Sequence, residues 1–423
     1  MYPLLWTESP EGQFQQLGGV LRVLLFDHRV TQGHHLEYAG HVARYLQQQG
    51  DEVKFATWER PTGPTADLAE EVAIRVSHLA PDRGRPLTST VGENAAVVQG
   101  VRRCMRLARR GRADVVHFLC MDRTELAMLA SLAFRRTRPA VFGTLIKPYF
   151  IHDAGELLGA SRRLFHYVNG RALGRLLSRD LMDGLFVHSE RSRSSLLAGF
   201  SGPYVAEKIH VVPDPAKEPP PISVDEAREA LGLPIGIPVM LFFGDARFDK
   251  GPDILLRSLP TLGGDWIAVL AGPPVLIGEE EASACREMLK HPSRLITRFE
   301  LIPEADADLY FRAADVVVLP YRTAFKGTSG VLQRAAASGK PVIVSDVGDV
   351  GDTVREAALG TVIPAESTVH LTAALQDFVD RFADVTREIE PRALAFAKAN
   401  NWRVLGRETR EHYLAAIGGI GGS

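Results

Sequence analysis

The sequence predicts an α/β fold made of two doubly wound, Rossmann-like domains in tandem. With 423 residues, the chain is longer than one hydrophobic core usually organises. Short apolar runs alternate with segments of helical periodicity, which is typical of parallel sheets covered by helices on both faces. A polar, proline-rich stretch at residues 214–223 interrupts this alternation and is typical of a linker between domains.

In the N-terminal half, the alternation begins at residues 23–26, where a short apolar run bounded by charge predicts a central parallel strand. A helix with apolar residues near helical spacing follows and ends at Gly50, and DEVKFAT predicts the next strand. Further strands are expected at ADVVHFL, AVFGTLI, GLFVHSE and KIHVVPD. We therefore place an N-terminal domain at residues 1–214.

The second half repeats the scheme and predicts a C-terminal domain at residues 215–399. Its strands are expected at PVMLFFGDAR, WIAVLAGPP, RLITRFEL, ADVVVLPY, PVIVSD and LGTVIP. A last helix is expected at about residues 400–417. Two such domains would leave a cleft between the carboxyl edges of their sheets, where ligands of open α/β sheets bind.

Composition narrows the class of protein. With 45% hydrophobic and 24% charged residues, the chain is expected to be globular and ordered. No apolar run approaches the roughly 20 residues that span a bilayer, and no signal peptide is evident. The three cysteines are scattered, which argues against a disulfide framework or a structural zinc site. We expect a cytoplasmic protein without a nucleic-acid partner.

Charge is distributed unevenly between the two halves. Residues 1–214 contain 27 Lys and Arg against 22 Asp and Glu, whereas the remainder contains 22 against 29. The basic excess is concentrated in the arginine-rich segments 101–112, 134–138 and 161–179. Arginine beside leucine, phenylalanine and tyrosine is compatible with peripheral contact with an anionic membrane or with an acidic substrate. The alternative is a set of solvated helix faces.

The stretch FFGDARFDKGPDILL indicates a first anion site. Gly244 ends a predicted strand, and Arg247 and Lys250 lie three residues apart in the turn that follows. Two cations beside a helix N-terminus can hold a diphosphate, arginine through its planar fork and lysine as a point charge. The alternative is that both cations are loop charges paired with Asp245 and Asp249.

The stretch GTSGVLQRAAASGKPVIVSD indicates a second anion site. It combines a glycine-rich turn, an alanine-rich helix and a buried strand. The backbone N–H groups of Ser329, Gly330 and Val331 would face an anion, with the hydroxyls of Thr328 and Ser329 nearby. The alternative is an ordinary N-capped helix, since Thr and Ser are good caps. Two such turns, one after each of two strands, are less easily explained by chance than either alone.

These stretches also resemble a known family. LFFGDARFDKGPDILLRSLP and AADVVVLPYRTAFKGTSGVLQRAAASGKPVIVSDVGDVGDTV are similar to the donor-binding domain of GT-B glycosyltransferases, in particular glycosyltransferase family 4. QGHHLEYAGHVARYLQQQGDEVKF, DVVHF, FVHSE and KIHVVPDP follow in the order of its acceptor domain. NNWRVLGRETREHYLAA resembles its last helix, which in the family crosses back onto the N-terminal domain. The resemblance covers nearly the whole chain.

The resemblance implies a GT-B fold and transfer of a sugar, of hexosyl type, from a nucleotide-diphosphate donor to an acceptor hydroxyl with retention. It implies no metal and no other cofactor. The acceptor would be a saccharide or a lipid-linked molecule. Arg247 and Lys250 would hold the diphosphate, and His117 would lie near the transferred sugar. The residues implied to bind the donor are Gly33, His34, Gly244, Gly272, Thr328, Ser329, Gly330 and Val331.

The chain departs from the family pattern at three positions. Gly327 and Arg334 occupy the places of two glutamates that lie seven residues apart in the family. Arginine cannot accept hydrogen bonds from a ribose diol, so Arg334 would either add charge for a phosphate, face solvent or form a structural salt bridge. Leu145 stands where a histidine is expected, with Lys147 nearby.

Other interpretations remain open at this point. A catalytically degenerate GT-B scaffold is favoured by Gly327, Arg334 and Leu145, and an epimerase or phosphorylase would keep the fold and change the reaction. Asp346, Asp349 and Asp352 suggest a metal site, but a solvated loop with helix caps explains their spacing better. His152 and Asp153 form a weak candidate acid–base pair that lacks a third member.

Overall fold

Two parallel β-sheets follow one another along the chain. In each sheet the strands are buried, and apolar residues cover both faces. In β1 (Arg22–Asp27), Leu24 packs into the core on one face of its sheet and Leu25 into the core on the other. The computed structural model describes residues 19–27, 34–57, 75–78, 90–122, 124–132, 139–146, 160–202, 204–215, 218–325 and 327–418.

The first sheet contains seven strands. They are β1 (Arg22–Asp27), β2 (Glu52–Thr57), β3 (Arg75–His78), β4 (Val115–Phe118), β5 (Ala140–Thr144), β6 (Gly184–Val187) and β7 (Ile209–Val211). Their helices are α1 (His34–Gln48), α2 (Thr90–Arg110), α3 (Glu125–Leu132), α4 (Ala160–Ser178), α5 (Glu190–Gly199) and α6 (Val205–Lys208). The strand order β3-β2-β1-β4-β5-β6-β7 reverses between β1 and β4, as in a doubly wound sheet.

The second sheet contains six strands. They are β8 (Val239–Phe243), β9 (Ile267–Ala271), β10 (Leu295–Arg298), β11 (Val316–Leu319), β12 (Val342–Ser345) and β13 (Gly360–Ile363). Its helices are α7 (Val224–Leu231), α8 (Pro252–Ser258), α9 (Glu279–Met288), α10 (Glu304–Ala313), α11 (Gly330–Ala337), α12 (Gly348–Ala357) and α13 (Thr368–Ala399). The strand order is β10-β9-β8-β11-β12-β13, with the reversal between β8 and β11. The predicted α/β fold class is confirmed.

The two sheets are joined twice. Residues 212–238 lead from β7 to β8 and include the predicted linker at 214–223. The last helix, α14 (Trp402–Gly418), returns to pack on α1, where Gly406 lies so close to Tyr45 that an added Cβ would meet the ring at 2.4 Å. By its contacts, α14 therefore belongs to the N-terminal half.

The carboxyl edges of the two sheets face each other. Arg191, in the first turn of α5 after β6, forms a salt bridge of 2.6 Å with Asp352, in α12 after β12. This salt bridge joins helices that follow the carboxyl ends of strands in the two different sheets.

Within the described ranges, every helix is too short or too polar to cross a membrane.

Candidate active site

The turns after β8 and β9 pack against each other at the carboxyl edge of the second sheet. The N–H of Gly244 donates to the carbonyl of Ala271 at 2.8 Å. Gly244 and Gly272 both have positive φ angles, +98° and +138°. A Cβ on Gly272 would lie 2.3 Å from the carbonyl oxygen of Gly244, so only glycine fits this approach. The two predicted glycines are thus neighbours at one strand edge.

Lys250 brings a cation directly over the end of β8. It is the last residue of a short 3₁₀ helix, Phe248–Lys250, and its Nζ lies 2.7 Å from the position that a Cβ of Gly244 would occupy. The missing side chain of Gly244 therefore leaves room for the ammonium group above the strand end. This is the position that the sequence predicted for a phosphate-binding lysine.

Arg247 precedes the same 3₁₀ helix and is held by carboxylates. Its Nε and Nη2 each donate to Asp249 at 3.0 Å, and its Nη1 lies 3.5 Å from Asp245. The hydrogen bond to Asp249 raises the pKa of Arg247 above its usual value. The pairing that the alternative interpretation predicted is confirmed for Arg247. A bound anion would share or replace Asp249 as its partner.

The N-terminus of α11 forms the other side of the candidate site. Ser329 caps the helix, and its Oγ accepts a hydrogen bond from the N–H of Leu332 at 3.4 Å. The Ser329 side chain is buried, whereas Gly330 is exposed at the surface. The first N–H groups of a helix have no carbonyl partner within the helix, and in α11 these include the N–H groups of Gly330 and Val331. The ordinary N-cap and the anion site are therefore compatible with each other.

Tyr321 lies between the two turns. Its hydroxyl shares a hydrogen bond of 3.1 Å with Ser329 Oγ, and burial raises its pKa to about 12 although the charge of Arg247 opposes the rise. Since β8 and β11 are adjacent strands, the turns that follow them are adjacent as well. The structure thus brings Gly244, Lys250 and the start of α11 to one edge, as the sequence predicted.

Two family models match the chain on either side of its central connection. The model described as glycosyl transferase 4-like domain matches residues 36–215, and the model described as glycosyl transferases group 1 matches residues 237–381. The chain belongs to the group 1 glycosyltransferases. In this glycosyltransferase, both anion-binding turns fall within the second match.

Relatives and solved structures agree with this assignment. A D-inositol 3-phosphate glycosyltransferase from Xylanimonas cellulosilytica is 27% identical over 355 residues, covering 77% of this chain and 78% of the relative. HepE from Anabaena in complex with UDP superposes with a TM-score of 0.70 at 18% identity, over 92% of this chain and 99% of that one. Sucrose-phosphate synthase from Thermosynechococcus elongatus gives a TM-score of 0.71 at 17% identity, over 94% and 100%. The fold of this glycosyltransferase is GT-B.

His117 does not lie where the resemblance implied. It is fully buried in β4, with Nδ1 at 2.6 Å from the Tyr413 hydroxyl and Nε2 at 2.8 Å from the Thr144 hydroxyl. Burial lowers its pKa to about 3, so the ring is neutral. With both ring nitrogens engaged inside the fold, His117 connects the sheet to α14. This placement does not fit a catalytic role beside a transferred sugar.

Arg334 forms a structural contact within the second domain. Its side chain is 10% exposed, its Nε lies 3.9 Å from the buried Asp308, and its guanidinium lies over the ring of Phe311 at 5.6 Å. Both partners belong to α10. Of the interpretations that the sequence left open for Arg334, the structural salt bridge is confirmed.

The remaining predicted residues divide into two groups. Leu145 is buried in the core of the first sheet. Predictions were also made for residues that lie outside the described part of the chain, namely Gly33, the side chain of His34, Lys147, His152 and Asp153. They stay predictions.

The three aspartates after β12 act mainly in ion pairs. Arg355 pairs with Asp346 at 2.9 Å and with Asp352 at 3.0 Å, and Asp352 also pairs with Arg191. Asp349 is buried, which raises the pKa of its carboxyl. Across the described part of the chain, no group of three or more His, Cys, Asp or Glu side chains is arranged to hold a metal ion. Asp346 and Asp352 are thus both paired with arginines.

Proposed function

We propose that this glycosyltransferase moves a hexosyl group from a nucleoside-diphosphate sugar to an acceptor hydroxyl, with retention and without a metal or other cofactor. The observation that carries the proposal is the position of Lys250, whose ammonium group lies over Gly244 at the end of β8, the strand that pairs with β11 ahead of α11. A cation and free helix N–H groups at one strand edge form a binding site for a diphosphate.

The ligands and activities named for similar proteins support a nucleotide-sugar donor. HepE has been solved with UDP and with UDP-glucose, and the relatives in sequence are D-inositol 3-phosphate glycosyltransferases. By analogy, we propose a nucleoside-diphosphate hexose as donor and a saccharide or lipid-linked hydroxyl compound as acceptor. The three cysteines all lie in the described part of the chain, are buried and form no disulfide with one another, which supports a reducing compartment such as the cytoplasm.

The proposed mechanism depends on where negative charge develops as the sugar is transferred. As the bond between the anomeric carbon and the diphosphate oxygen breaks, negative charge grows on the leaving diphosphate. Lys250 and the N-terminus of α11 stabilise that charge, and Arg247 adds to it by sharing or exchanging its Asp249 partner. The acceptor oxygen forms its bond to the anomeric carbon on the same face, and its proton passes to the departing phosphate. Closure of the cleft would exclude water and limit donor hydrolysis.

The proposal is tested by thermal unfolding of the purified protein against a panel of nucleoside diphosphates and their sugars. We expect one nucleotide to raise the melting temperature of the wild-type protein, and Lys250→Ala to reduce that shift to a small part of its wild-type value while leaving weak binding that titration can measure. A ligand present at 100 times its Kd stabilises the folded state by about 2.7 kcal/mol, which is readily measured. The product formed with the stabilising sugar nucleotide, examined by NMR, reports the anomeric configuration.

A panel without any shift would contradict the proposal. The degenerate GT-B scaffold would then be the better interpretation. Donor turnover to a sugar phosphate, in place of a glycoside, would indicate the epimerase or phosphorylase class instead.

We further propose that α4 contacts an anionic membrane surface during catalysis. Leu164 and Tyr167 are 63% and 64% exposed on this helix, and Arg163, Arg171 and Arg175 are exposed beside them. Apolar side chains flanked by arginines are typical of surfaces that bind acidic lipid headgroups. An acceptor carried by a lipid would then be presented close to the N-terminal half.

Co-sedimentation with vesicles tests the membrane contact. We expect binding to phosphatidylglycerol vesicles, weak binding to phosphatidylcholine vesicles, and release at high salt because exposed charges are screened. The double variant Leu164→Ser/Tyr167→Ser should lose most of the binding. Ile235→Ser, which changes a side chain that is 65% exposed on the other half, is the matched control and should bind normally. Equal binding to both lipids, or by both variants, would contradict the contact.

A further inference from the structure

Arg322 makes several contacts with the turn that carries Lys250, and no pattern in the sequence predicted them. It follows β11 and is buried, with 8% of its surface exposed. Its Nη1 and Nη2 donate to the two carboxylate oxygens of Asp253 at 2.9 and 2.7 Å. Nη1 also donates to the carbonyl of Phe248 at 2.6 Å. The guanidinium thus binds one residue inside the 3₁₀ helix and one residue just after it.

Two further contacts fix the same turn. The backbone N–H of Arg322 donates to the carbonyl of Asp249 at 2.9 Å, and its guanidinium stacks over the ring of Phe248 at 4.0 Å. Phe248, Asp249 and Lys250 form the 3₁₀ helix, so Arg322 holds the segment that ends in the candidate phosphate-binding lysine. Phe248 and Arg322 are 74 positions apart in the sequence, and the fold brings them together.

The neighbouring residue holds the second anion-binding element. Tyr321 is 1% exposed, and its hydroxyl bonds to Ser329, the N-cap of α11. Two consecutive residues therefore contact the two elements that would enclose a diphosphate. A shift of Arg322 would move the turn after β8 relative to the start of α11.

We propose that Arg322 is a positioning residue for the donor diphosphate, acting through the Phe248–Lys250 turn. The inference rests on the proposed function and identifies which residue sets the geometry of that site. Lysine cannot replace arginine here, because one ammonium group cannot form the fork to Asp253 and reach the Phe248 carbonyl together. Arg322 acts through the turn because its guanidinium is buried and its terminal nitrogens donate to Asp253 and to the Phe248 carbonyl.

Calorimetric titration with UDP compares Arg322→Lys with Arg257→Lys. Arg257 bonds to the same carboxylate at 2.6 Å but is 58% exposed on the outer side, which makes it a matched control. We expect Arg322→Lys to weaken UDP binding about tenfold or more and Arg257→Lys to change it less than about twofold, with tenfold equal to about 1.4 kcal/mol. Equal affinity of Arg322→Lys and wild type would overturn the inference.

A double-mutant cycle separates positioning from a general loss of structure. If Arg322 acts through the turn, Arg322→Lys should weaken UDP binding by less than about threefold once Lys250 is already alanine, because neighbours in one network are not additive. Fully additive losses would overturn the inference. If Arg322→Lys unfolds below the titration temperature, Asp253→Asn serves as the second variant, and it should weaken UDP binding while remaining folded.

Titration of the wild-type protein distinguishes failure of the proposed function from failure of the inference about Arg322. Absence of binding of UDP and of every other nucleoside diphosphate by the wild-type protein would overturn the proposed function, and the inference with it. Binding by the wild type that persists unchanged in both Arg322→Lys and Asp253→Asn would overturn the inference alone.

Discussion

Replacing Lys250 by alanine is expected to lower the turnover of the sugar nucleotide by about 100-fold or more, by analogy with the loss of one oxyanion donor. The ammonium group lies over the end of β8, where an added Cβ on Gly244 would be 2.7 Å from it. A charge fixed at this point stabilises the leaving diphosphate most in the transition state, when its negative charge is largest. The expected loss is therefore in kcat as well as in donor affinity.

Arg247→Ala should act in the same direction through the other cation of the turn. Its guanidinium is already paired with Asp249, so part of its interaction energy is present before the donor binds. Initial rates with the stabilising sugar nucleotide measure both variants. Lys290→Ala, which removes an exposed lysine elsewhere in the same half, should retain wild-type turnover. Near-normal turnover in both active-site variants would exclude this turn as the diphosphate site.

The elements that could be predicted from the sequence are those whose burial is evident from their own residues. Most strands of both sheets are continuous apolar runs, and a run buried on both faces is visible without knowledge of its neighbours. β3 was missed because Arg75–His78 is short and half polar, so it lacks that signal. Gly244 was found because a strand followed by glycine and then by a helix is a local pattern, whereas Gly272 came from the family resemblance.

Roles that depend on distant contacts could not be predicted. His117 was interpreted as a catalytic residue from a resemblance, and only the structure shows that Thr144 and Tyr413 occupy both ring nitrogens. Arg322 was missed although it comes only three residues after the apolar strand β11, because Asp253 lies 69 residues away. The side chain of a residue after a strand can turn toward the ligand or toward the protein, and the sequence does not decide between them.

The second large effect, on stability, is expected at the ion pair that holds α14 on the N-terminal half. Arg410 on α14 donates to both carboxylate oxygens of Asp51 at 2.7 and 3.1 Å, and the Asp51 side chain is fully buried. Asp51 also accepts from the N–H of Leu21 at 3.0 Å, at the start of β1. The pair thus joins the last helix to the amino edge of the first sheet.

Arg410→Met is expected to destabilise the N-terminal half by about 3–5 kcal/mol, because removing one partner leaves a buried carboxylate without its counter-charge. In a domain of this size, that loss lowers the melting temperature by roughly 10 °C. Arg407→Met is the matched control, since Arg407 lies on the same helix, is 52% exposed and pairs only with surface glutamates among the residues described. It should change stability by less than about 0.5 kcal/mol.

A second substitution at the partner identifies the cause of the loss. In Arg410→Met/Asp51→Asn the buried charge is gone, so the double variant should be more stable than Arg410→Met alone, with a coupling measurable by the cycle. If the loss of stability in the double variant, relative to wild type, equalled the sum of the two single losses, packing of α14 would account for the effect and the ion pair would not. Since α14 also supplies Tyr413 to His117, recovery in the double variant would show that charge neutralisation is sufficient to keep this helix, and with it the return connection between the two halves, in place.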